Sequence, residues 1–436
     1  MKKIYFTTLG CSRNTVDSEI ILQKLKNHGY KNTLNAKEAD FFIVNTCGFL
    51  KEARDEAYSI LDEIFKSKNK DSKVIITGCM ANLYSKDLKE RFPDIFSILS
   101  AGEIEKILLA MEKPHHLIDK TSYIQDGDIE KLQTTPTHLS YLKISEGCLK
   151  KCSFCIIPKI KGSLQSRSLK SILDEVKYLL DKGVFEINLI AQDLTDFAKD
   201  RKEKNALVNL IKEILKIKKD FWLRLLYVYP DELSDEFVDL IKSDERVCRY
   251  IDMPVQHIND RVLKLMRRKT SKSQIIQIYE KIKSKMPDFS FRSSIMVGFP
   301  TEVEEEFNEL LEFIEKYPIN NLAVFKYSNE KEAFSYTLEN QVDEETKEKR
   351  FQLLTQKQYG IIQKNNKKMI GKKLIAIVDG FHKETKFLAE ARSHSQAYGV
   401  DNTILINDIS KIKSFGKVEK IKITDTAGYD LIGTII

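Results

Sequence analysis

The sequence predicts an α/β protein with three domains: an amino-terminal doubly wound parallel-sheet domain at residues 1–117, a central partial (β/α)6 barrel at 134–365 and a small antiparallel β-barrel at 367–436. Three observations lead to this prediction. Apolar runs alternate with amphipathic helical stretches in the first part of the chain, and six strand-and-helix units follow in the middle. The last part changes to short β-type segments separated by glycines.

The first domain combines three apolar runs with amphipathic helical stretches. Helices are expected near Ser18–His28 and Ala53–Phe65, where apolar residues recur at helical spacing. Strands and helices that alternate in this way indicate a parallel sheet with helices on both faces. The expected strands are Ile4–Leu9, Phe41–Val44 and Val74–Thr77.

A cysteine with a glycine beside it follows each of these strands, at Cys11, Cys47 and Cys79. In such sheets, sites form at the carboxyl ends of the strands, so three thiols far apart in the sequence should converge on one edge. Free cysteines are often small buried core residues, but that interpretation does not account for three cysteines in equivalent positions. The pattern predicts a three-thiolate iron–sulfur site with one iron left open.

A polar stretch separates the first two domains. It runs from Lys113 to Pro136, carries Gly127 and two prolines, and lacks a regular apolar period. This composition is typical of a linker.

Three further cysteines, Cys148, Cys152 and Cys155, have the spacing CxxxCxxC and follow an expected strand at Tyr141–Ile144. Thiolates select zinc, copper(I) or iron–sulfur clusters. A structural zinc site needs a fourth ligand, and no nearby Cys or His supplies one, whereas three thiolates can hold a 4Fe–4S cluster with one open iron. The alternative of three free buried thiols gives no reason for this spacing.

Five more strand candidates alternate with helical stretches, which gives six β/α units in all. The first helix is expected at Ser171–Asp181, with Gly183 as its stop. Chemistry in such barrels lies at the carboxyl ends of the strands, where Gln192 and Gln256 are among the polar candidates. The strand candidates are Glu186–Ile190, Trp222–Tyr227, Tyr250–Met253, Phe291–Val297 and Leu322–Tyr327.

The three-cysteine loop resembles that of the radical S-adenosylmethionine (SAM) enzymes, whose signature is CxxxCxxC. The preceding strand and the aromatic Phe154 before the last cysteine agree with that group. The flanking segments ISEGC and CIIP, together with TLGC, NTCGF and TGCM in the first domain, are similar to the methylthiotransferase family within it.

The resemblance implies two 4Fe–4S clusters and SAM as cofactors. One SAM would give a 5′-deoxyadenosyl radical at the cluster of the central domain, and a second would methylate a sulfur held at the cluster of the first domain. Gln192 and Gln256 would contact SAM or the substrate, and no catalytic side chain is predicted beyond the cluster ligands. The ligands would be Cys11, Cys47 and Cys79 for the first cluster and Cys148, Cys152 and Cys155 for the second.

Several segments are closer to the protein-modifying branch of this family than to its tRNA-modifying branch, namely VDSE, LIAQD at Leu189–Asp193 and YIDMPVQH at Tyr250–His257. After the first cysteine, Ser12-Arg13 stands where the tRNA branch usually has Gln-Met and the protein branch Pro-Lys. This resemblance implies methylthiolation of the β-carbon of an aspartate in small-subunit ribosomal protein twelve, either free or in the ribosomal subunit. The electron donor and the sulfur donor are further partners that the sequence does not name.

The chain departs from the family pattern at Thr301, where VGFPTE replaces VGFPGE. If that position requires a positive φ, the turn is expected to differ slightly.

The last domain is similar to the TRAM domain that closes methylthiotransferases. Its expected strands are Leu374–Val378, Phe387–Ala391, Thr403–Ile406, Val418–Thr424 and Leu431–Ile435.

Composition limits the class of protein. A hydrophobic content of 42%, a charged content of 31% and a net charge of +7 over 436 residues fit a globular protein, and this mild basic excess is compatible with a ribosomal or RNA partner. No apolar run approaches the roughly 18–20 residues of a membrane span, so we expect a cytoplasmic protein without a membrane partner. The seven cysteines have spacings that do not suggest a disulfide framework.

Two alternative functions remain open. A tRNA adenosine methylthiotransferase would carry the same clusters, but Ser12-Arg13, Gln192-Asp193 and Tyr229-Pro230 argue against it. A non-catalytic iron–sulfur protein that binds RNA or transfers electrons would not turn over SAM, and CxxxCxxC on a barrel argues against it.

Two single residues have alternative interpretations. His257 is either a proton carrier or a hydrogen-bonded histidine at the barrel rim. Cys248 lies between Arg246 and Arg249, which could lower its pKa, but a packed structural cysteine is the favoured interpretation.

Overall fold

The computed structural model describes residues 2–116, 123–127, 130–230 and 233–436. Its first part is a parallel sheet with the strand order β2-β1-β3-β4-β5, where the strands are β1 (Lys3–Thr8), β2 (Lys31–Asn32), β3 (Phe41–Thr46), β4 (Lys73–Gly78) and β5 (Ser97–Ile98). Thr8 pairs with Asn45, and Thr46 pairs with Gly78. The carboxyl ends of β1, β3 and β4 therefore lie side by side.

Helices α1 (Ser12–Asn27), α2 (Lys51–Ser67), α3 (Cys79–Arg91) and α4 (Ile107–Glu112) accompany this sheet, which confirms the predicted architecture. The sequence placed the start of α1 at Ser18, whereas the helix begins at Ser12. Its first half lacks the apolar period because Asn14, Asp17 and Glu19 are polar. These three side chains are nevertheless buried, since each binds a neighbouring loop or the central domain.

The central domain is the predicted partial (β/α)6 barrel. Its strands are β6 (Leu139–Lys143), β7 (Ser145–Glu146), β8 (Gln165–Ser166), β9 (Glu186–Ile190), β10 (Trp222–Leu225), β11 (Tyr250–Asp252), β12 (Ser290–Val297) and β13 (Asn321–Lys326). The long strands form two parallel halves, β10-β9-β6 and β11-β12-β13, while β7 and β8 form a small antiparallel pair. The hydrogen bond from Val228 N to Asp252 O, at 2.9 Å, and a bridge between Leu223 and Val247 join the halves into one curved wall.

The helices of this domain pack their apolar faces onto the wall in one large hydrophobic cluster. The first long helix follows Ser168, whose hydroxyl accepts a hydrogen bond from Ser171 N at 3.2 Å, and Gly183 beyond its end has φ +89°. The predicted helix and stop are thus confirmed. The helices are α5 (Ile157–Lys161), α6 (Leu169–Asp181), α7 (Ala206–Leu215), α8 (Asp235–Ser243), α9 (Asp260–Leu265), α10 (Lys272–Lys285), α11 (Glu304–Lys316) and α12 (Glu344–Lys367).

The last domain is the predicted small closed β-barrel. Its strands are β14 (Lys373–His382), β15 (Thr385–Ser393), β16 (Ile404–Ile406), β17 (Val418–Ala427) and β18 (Asp430–Ile435), in the order β14-β15-β16-β18-β17. The pairing of β16 with β18 is parallel and the other pairings are antiparallel. Small and β-branched residues such as Ala376, Ala389 and Ile421 fill the interior.

Thr301 takes the positive φ that its position in the turn requires, at +68°. Its backbone N–H donates to Asn340 O at 2.9 Å, and its hydroxyl accepts from Arg261 Nη1 at 2.9 Å. The threonine therefore adopts a left-handed conformation that is costly for a β-branched residue, and these hydrogen bonds hold it there. Because Thr301 itself adopts the positive φ, the turn does not need the change in shape that the sequence led us to expect.

The predicted linker from Lys113 to Pro136 includes residues 117–122 and 128–129, which lie outside the described residues. The predicted domain boundaries therefore stay predictions. In the parts of the chain that the structure describes, no helix is long and apolar enough to cross a bilayer.

Buried ion pairs join the last domain to the amino ends of the central strands. Glu186, at the start of β9, accepts hydrogen bonds from Arg224 Nε at 2.7 Å and from Arg392 Nη2 at 2.8 Å. Arg392 also binds Asp379 of β14 at 2.6 Å. Burial alone would raise the pKa of Glu186, but the two arginines lower it to about 2. The chain's single tryptophan, Trp222, reports on the same interface because its ring packs edge-on against His394, with 4.3 Å between ring centroids.

Replacing the shared carboxylate tests this interface. Glu186→Ala leaves two buried guanidinium groups with fewer partners, so the free energy of unfolding should fall by about 3–5 kcal/mol. Urea unfolding of the full chain, followed by Trp222 fluorescence, measures the change. The control is Asp181→Ala, which removes the exposed partner of Lys219 and should change stability by less than about 1 kcal/mol. An unchanged urea midpoint for Glu186→Ala would contradict this account of the interface.

Candidate active site

The cysteines of the first domain lie in the loops after β1, β3 and β4, as predicted. Cys11 stands just before α1, Cys47 follows β3, and Cys79 is the first residue of α3. Asn14 ties the loops together: its amide donates to Leu9 O at 2.9 Å and to the carbonyl of β3's last residue at 3.1 Å, and its Oδ1 lies 3.7 Å from Cys79 Sγ. The fold therefore brings these three thiols to one edge of the sheet.

Glycine permits this close approach. Gly10 has φ +90°, and a Cβ there would lie 2.7 Å from Cys47 Cβ and 3.0 Å from its Sγ. A Cβ on Gly48 would lie 2.7 Å from Met80 Cα. Any other residue at either position would push the loops apart.

Cys148, Cys152 and Cys155 occupy the loop between β7 and α5. Within it, Cys155 N donates to Cys152 O at 3.1 Å. Ser153 N donates to Met266 O at 3.0 Å, which attaches the loop to the end of α9. Backbone hydrogen bonds therefore set the shape of this loop without any ligand.

A cavity of about 410 Å³ lies between this loop, the first domain and the carboxyl ends of the barrel strands. Cys11 lines a neighbouring cavity of about 560 Å³, and Tyr227 lines both. The structure thus places residues from both domains around one space. The residues singled out from the sequence that line the first cavity are Cys148, Cys152, Cys155, Gln192, Asp193, Tyr229 and Gln256.

The two predicted glutamines are held in place by neighbouring side chains. Gln192 Nε2 donates to Glu146 Oε1 at 2.5 Å, and its Oε1 is buried without a hydrogen-bond partner among the described residues. Gln256 has φ +69°, and its Nε2 donates to Ser294 Oγ at 3.1 Å. Backbone strain of this kind is found at functional positions.

An acidic pair stands beside the second cysteine loop. Lys150 Nζ lies 3.4 Å from Asp193, 3.2 Å from Asp196 and 4.4 Å from the centre of the Tyr229 ring. Burial, together with repulsion from Asp196, raises the pKa of Asp193 to about 6, although Lys150 opposes the shift. The Oδ2 atoms of both carboxylates are buried without a hydrogen-bond partner within the described ranges. They can accept hydrogen bonds from ligand amino or hydroxyl groups.

A second group of charges lies between the two sets of cysteines. Lys143 binds Asp17 at 2.5 Å and Glu146 at 2.8 Å, and Lys161 lies 3.2 Å and 3.4 Å from the same two carboxylates. Burial alone would raise the pKa of Glu146, but the two lysines hold it well below its ordinary value. Lys161 also opposes the rise that burial causes in the pKa of Cys79.

Burial disfavours the thiolate form of several of these cysteines. Burial raises the pKa of Cys79 and Cys155 to about 12 and that of Cys148 to about 11. Cys11 is the exception: burial would raise its pKa, but the Arg13 guanidinium and nearby backbone N–H groups lower it. Because metals bind thiolates, loading these sites releases protons.

The donor sets fit iron–sulfur clusters better than single ions. Across the described part of the chain, no three His, Cys, Asp or Glu side chains are close enough to share one metal ion. In a cluster each thiolate binds a different iron, so the ligands stand farther apart than they do around one ion. Three soft thiolates in each loop set suit this arrangement.

His257 and Cys248 lie outside this cavity. His257 is fully buried, its Nδ1 accepts from Asn259 N at 3.0 Å, and its Nε2 lies 3.4 Å from Glu302, which agrees with a hydrogen-bonded histidine at the rim. Cys248 is 1% exposed, and burial raises its pKa to about 12. The favoured interpretation of a packed structural cysteine is confirmed.

The sequence did not indicate several charged residues that line the cavity, among them Arg13, Lys150 and Arg268. Arg13 was compared with the family pattern but not assigned to a site, because the start of α1 was placed too late. Lys150 stands inside the CxxxCxxC spacing, which could have drawn attention to it. Arg268 belongs to a basic stretch after α9, and no spacing distinguishes it from its neighbours.

Three family models match the chain. Residues 3–100 match the model described as Uncharacterized protein family UPF0004, residues 142–314 match the Radical SAM superfamily, and residues 370–436 match the TRAM domain.

Full-length relatives share one name, Ribosomal protein uS12 methylthiotransferase RimO. The protein of Protochlamydia amoebophila is 46% identical over all of this chain and 92% of its own length. That of Chlamydia pneumoniae is 46% identical over all of this chain and 94% of its own length. That of Bdellovibrio bacteriovorus is 39% identical, again over the whole chain and 98% of its own length.

Solved structures show the same fold at low identity. The radical S-adenosylmethionine methyltransferase TsrM from Kitasatospora setae matches with a TM-score of 0.55 and 14% identity over 74% of this chain and 73% of that one. The cobalamin-dependent S-adenosylmethionine radical enzyme OxsB gives 0.51 and 12% over 83% and 56%. These likenesses concern the fold alone. The family follows from the full-length relatives: the chain belongs to the family of RimO methylthiotransferases of ribosomal protein uS12.

Proposed function

We propose that this chain is a radical SAM methylthiotransferase that adds a methylthio group to the β-carbon of an aspartate in ribosomal protein uS12. The observation that carries the proposal is a cavity lined by Cys148, Cys152 and Cys155 and, from the first domain, by Arg13 and Phe49, each two positions from a cysteine of the other set. The chain's full-length relatives are named for this activity. Cys148, Cys152 and Cys155 would hold the cluster that binds SAM. Cys11, Cys47 and Cys79 would hold the other.

Cofactors supply the chemistry that side chains cannot. When bound, the two 4Fe–4S clusters and SAM provide the radical that an unactivated C–H bond requires and the methylthio group that replaces its hydrogen. The chain's own residues bind and orient. Glu146 and Ser294 fix the amides of Gln192 and Gln256 at the cavity before any ligand enters.

The cavity wall has polar and apolar parts with different roles. Asp193 offers a buried oxygen to the amino or hydroxyl groups of SAM. Phe154, Val228 and Met296 give the same space an apolar wall, and an apolar surface that excludes water protects a reactive species from side reactions.

The proposed partners follow from this reaction. The substrate is uS12, free or within the small ribosomal subunit, and two further partners must supply electrons and sulfur. A cytoplasmic location stays a prediction that agrees with a ribosomal substrate.

The first prediction concerns the cluster that binds SAM. Changing Cys148, Cys152 or Cys155 to Ala should abolish production of 5′-deoxyadenosine and remove about half of the iron, because only one of two clusters is lost. Iron analysis and chromatography of the SAM products measure both effects. Cys248→Ala is a matched control and should keep its iron and its SAM cleavage. Normal SAM cleavage by Cys152→Ala would refute the assignment.

The second prediction separates the two clusters. A variant with Cys11, Cys47 and Cys79 all changed to Ala should still cleave SAM in the presence of a reductant, because the other cysteines lie in another domain. It should transfer no methylthio group to uS12, as measured by mass spectrometry. Loss of SAM cleavage while the central cluster remains spectroscopically intact would show that the two clusters are not independent.

The third prediction concerns the substrate. Cells that lack this protein should lose a methylthio mass increment from an aspartate of uS12, whereas their tRNA should keep any methylthioadenosine it has. Mass spectrometry of both pools decides between the candidates. An unmodified tRNA pool beside a fully modified uS12 would instead assign the chain to tRNA.

A further inference from the structure

The cavity beside the second cysteine loop contains four cationic side chains, two of which have carboxylate partners. Lys150 lies 3.4 Å from Asp193 and 3.2 Å from Asp196, and Lys326 binds Glu348 at 2.9 Å. Their charges are therefore largely neutralised within the protein. The other two cations are the guanidinium groups of Arg13 and Arg268.

Arg13 makes no ion pair with any carboxylate in residues 2–116, 123–127, 130–230 and 233–436. Its Nη1 donates to Ala191 O at 2.8 Å, and the guanidinium lies 4.7 Å from the centre of the Tyr227 ring. Stacking on a ring, a hydrogen bond to one carbonyl and another to the Cys11 side chain fix the direction of the group. The remaining N–H donors have no carboxylate partner.

Arg268 is the second guanidinium without a carboxylate partner among the described residues. Its Nη2 donates to Pro254 O, it lies 3.9 Å from the centre of the Tyr229 ring, and its Nε is buried without a hydrogen-bond partner. It follows α9, whose end is hydrogen-bonded to the second cysteine loop through Ser153. Arg268 therefore belongs to the part of the cavity beside the SAM-binding cysteines.

The proposed reaction brings two carboxylates into this space, one on the methionine part of SAM and one on the target aspartate. The carbon that receives the methylthio group must be accessible from both cysteine sets, and its carboxyl group is one bond away. Arg13 stands two positions from Cys11 and lines the cavity that Cys148 and Cys155 also line.

We propose that Arg13 binds the carboxylate of the target aspartate and so selects an acidic side chain over an amide or an uncharged base. This inference rests on the proposed function and adds a residue that recognises the substrate. A guanidinium suits the task because it is always charged and its planar N–H groups match the geometry of a carboxylate. Hydrogen bonds to a charged group correspond to about tenfold to hundredfold in affinity.

The test compares two forms of uS12, with Asp or Asn at the position that the enzyme modifies. The uS12 is supplied in whichever form, free or in the small subunit, the wild-type enzyme modifies. Binding to the holoenzyme with SAM is measured without reductant, so that no turnover occurs. The wild-type enzyme should bind the Asp form about tenfold to hundredfold more tightly than the Asn form.

Three variants complete the design. Arg13→Gln should bind both forms of uS12 with affinities within about threefold of each other, because its amide cannot form the ion pair. Arg13→Lys should keep part of the preference. Arg249→Gln, which removes a surface ion pair with Asp288, should keep all of it. Iron content and reductive SAM cleavage are measured in parallel for all variants, and those of Arg249→Gln should match the wild-type values.

The inference would be overturned if Arg13→Gln preferred the Asp form of uS12 as strongly as the wild-type enzyme does. This includes the outcome in which the variant binds both forms more weakly by the same factor. If Arg13→Gln fails to hold its clusters, Arg13→Lys decides the matter, since an undiminished preference in that variant contradicts the proposal. Failure of the wild-type enzyme to modify uS12 at all would instead refute the proposed function. The two failures are therefore distinguishable.

Discussion

Asp17, Lys143, Glu146 and Lys161 form a buried group of paired charges on which the positions of both cysteine sets depend. Asp17 lies on the helix that follows Cys11, whereas the other three residues belong to β6 and to the segments that flank the second cysteine loop. Removing charges from water costs several kcal/mol per ion, and only close pairing offsets that cost. Because the pairs form at one relative position of the two domains, they fix the distance across the cavity.

The two ends of the barrel strands have separate tasks. At the amino ends, Glu186 binds arginines from β10 and from the last domain, and this contact serves stability. At the carboxyl ends lie the residues that line the cavity, as expected for β/α barrels. The last domain also reaches toward the chemistry, since Tyr141 donates to Tyr398 O at 3.3 Å and both residues line the cavity that contains Cys11. All three domains therefore surround that second space.

The sequence predicted those strands and helices in which the buried residues are apolar and recur at regular spacing or in an unbroken run. Strand β9 was predicted with its observed bounds because every residue in Glu186–Ile190 is buried between layers. The two-residue strands β2 and β5 were not predicted, since so short a segment shows no period. The start of α1 was missed for another reason. Asn14 and Asp17 are polar, and they are buried because they form hydrogen bonds and ion pairs. A hydrophobic pattern does not identify buried polar residues whose partners lie in distant parts of the chain.

The cysteines of the site could be predicted because their spacing and their places after strands are local features. The charged residues around them could not, since what distinguishes Arg13 and Arg268 from the paired arginines is that they have no carboxylate partner among the described residues. That is a property of the folded molecule. Elsewhere in the interior, charges such as Glu186 and Glu146 are paired. Natural proteins break such rules mainly at functional sites, where a ligand completes the interaction. Two guanidinium groups without carboxylate partners that line one cavity are therefore evidence that its ligands carry carboxylate groups, and both the methionine part of SAM and an aspartate side chain do.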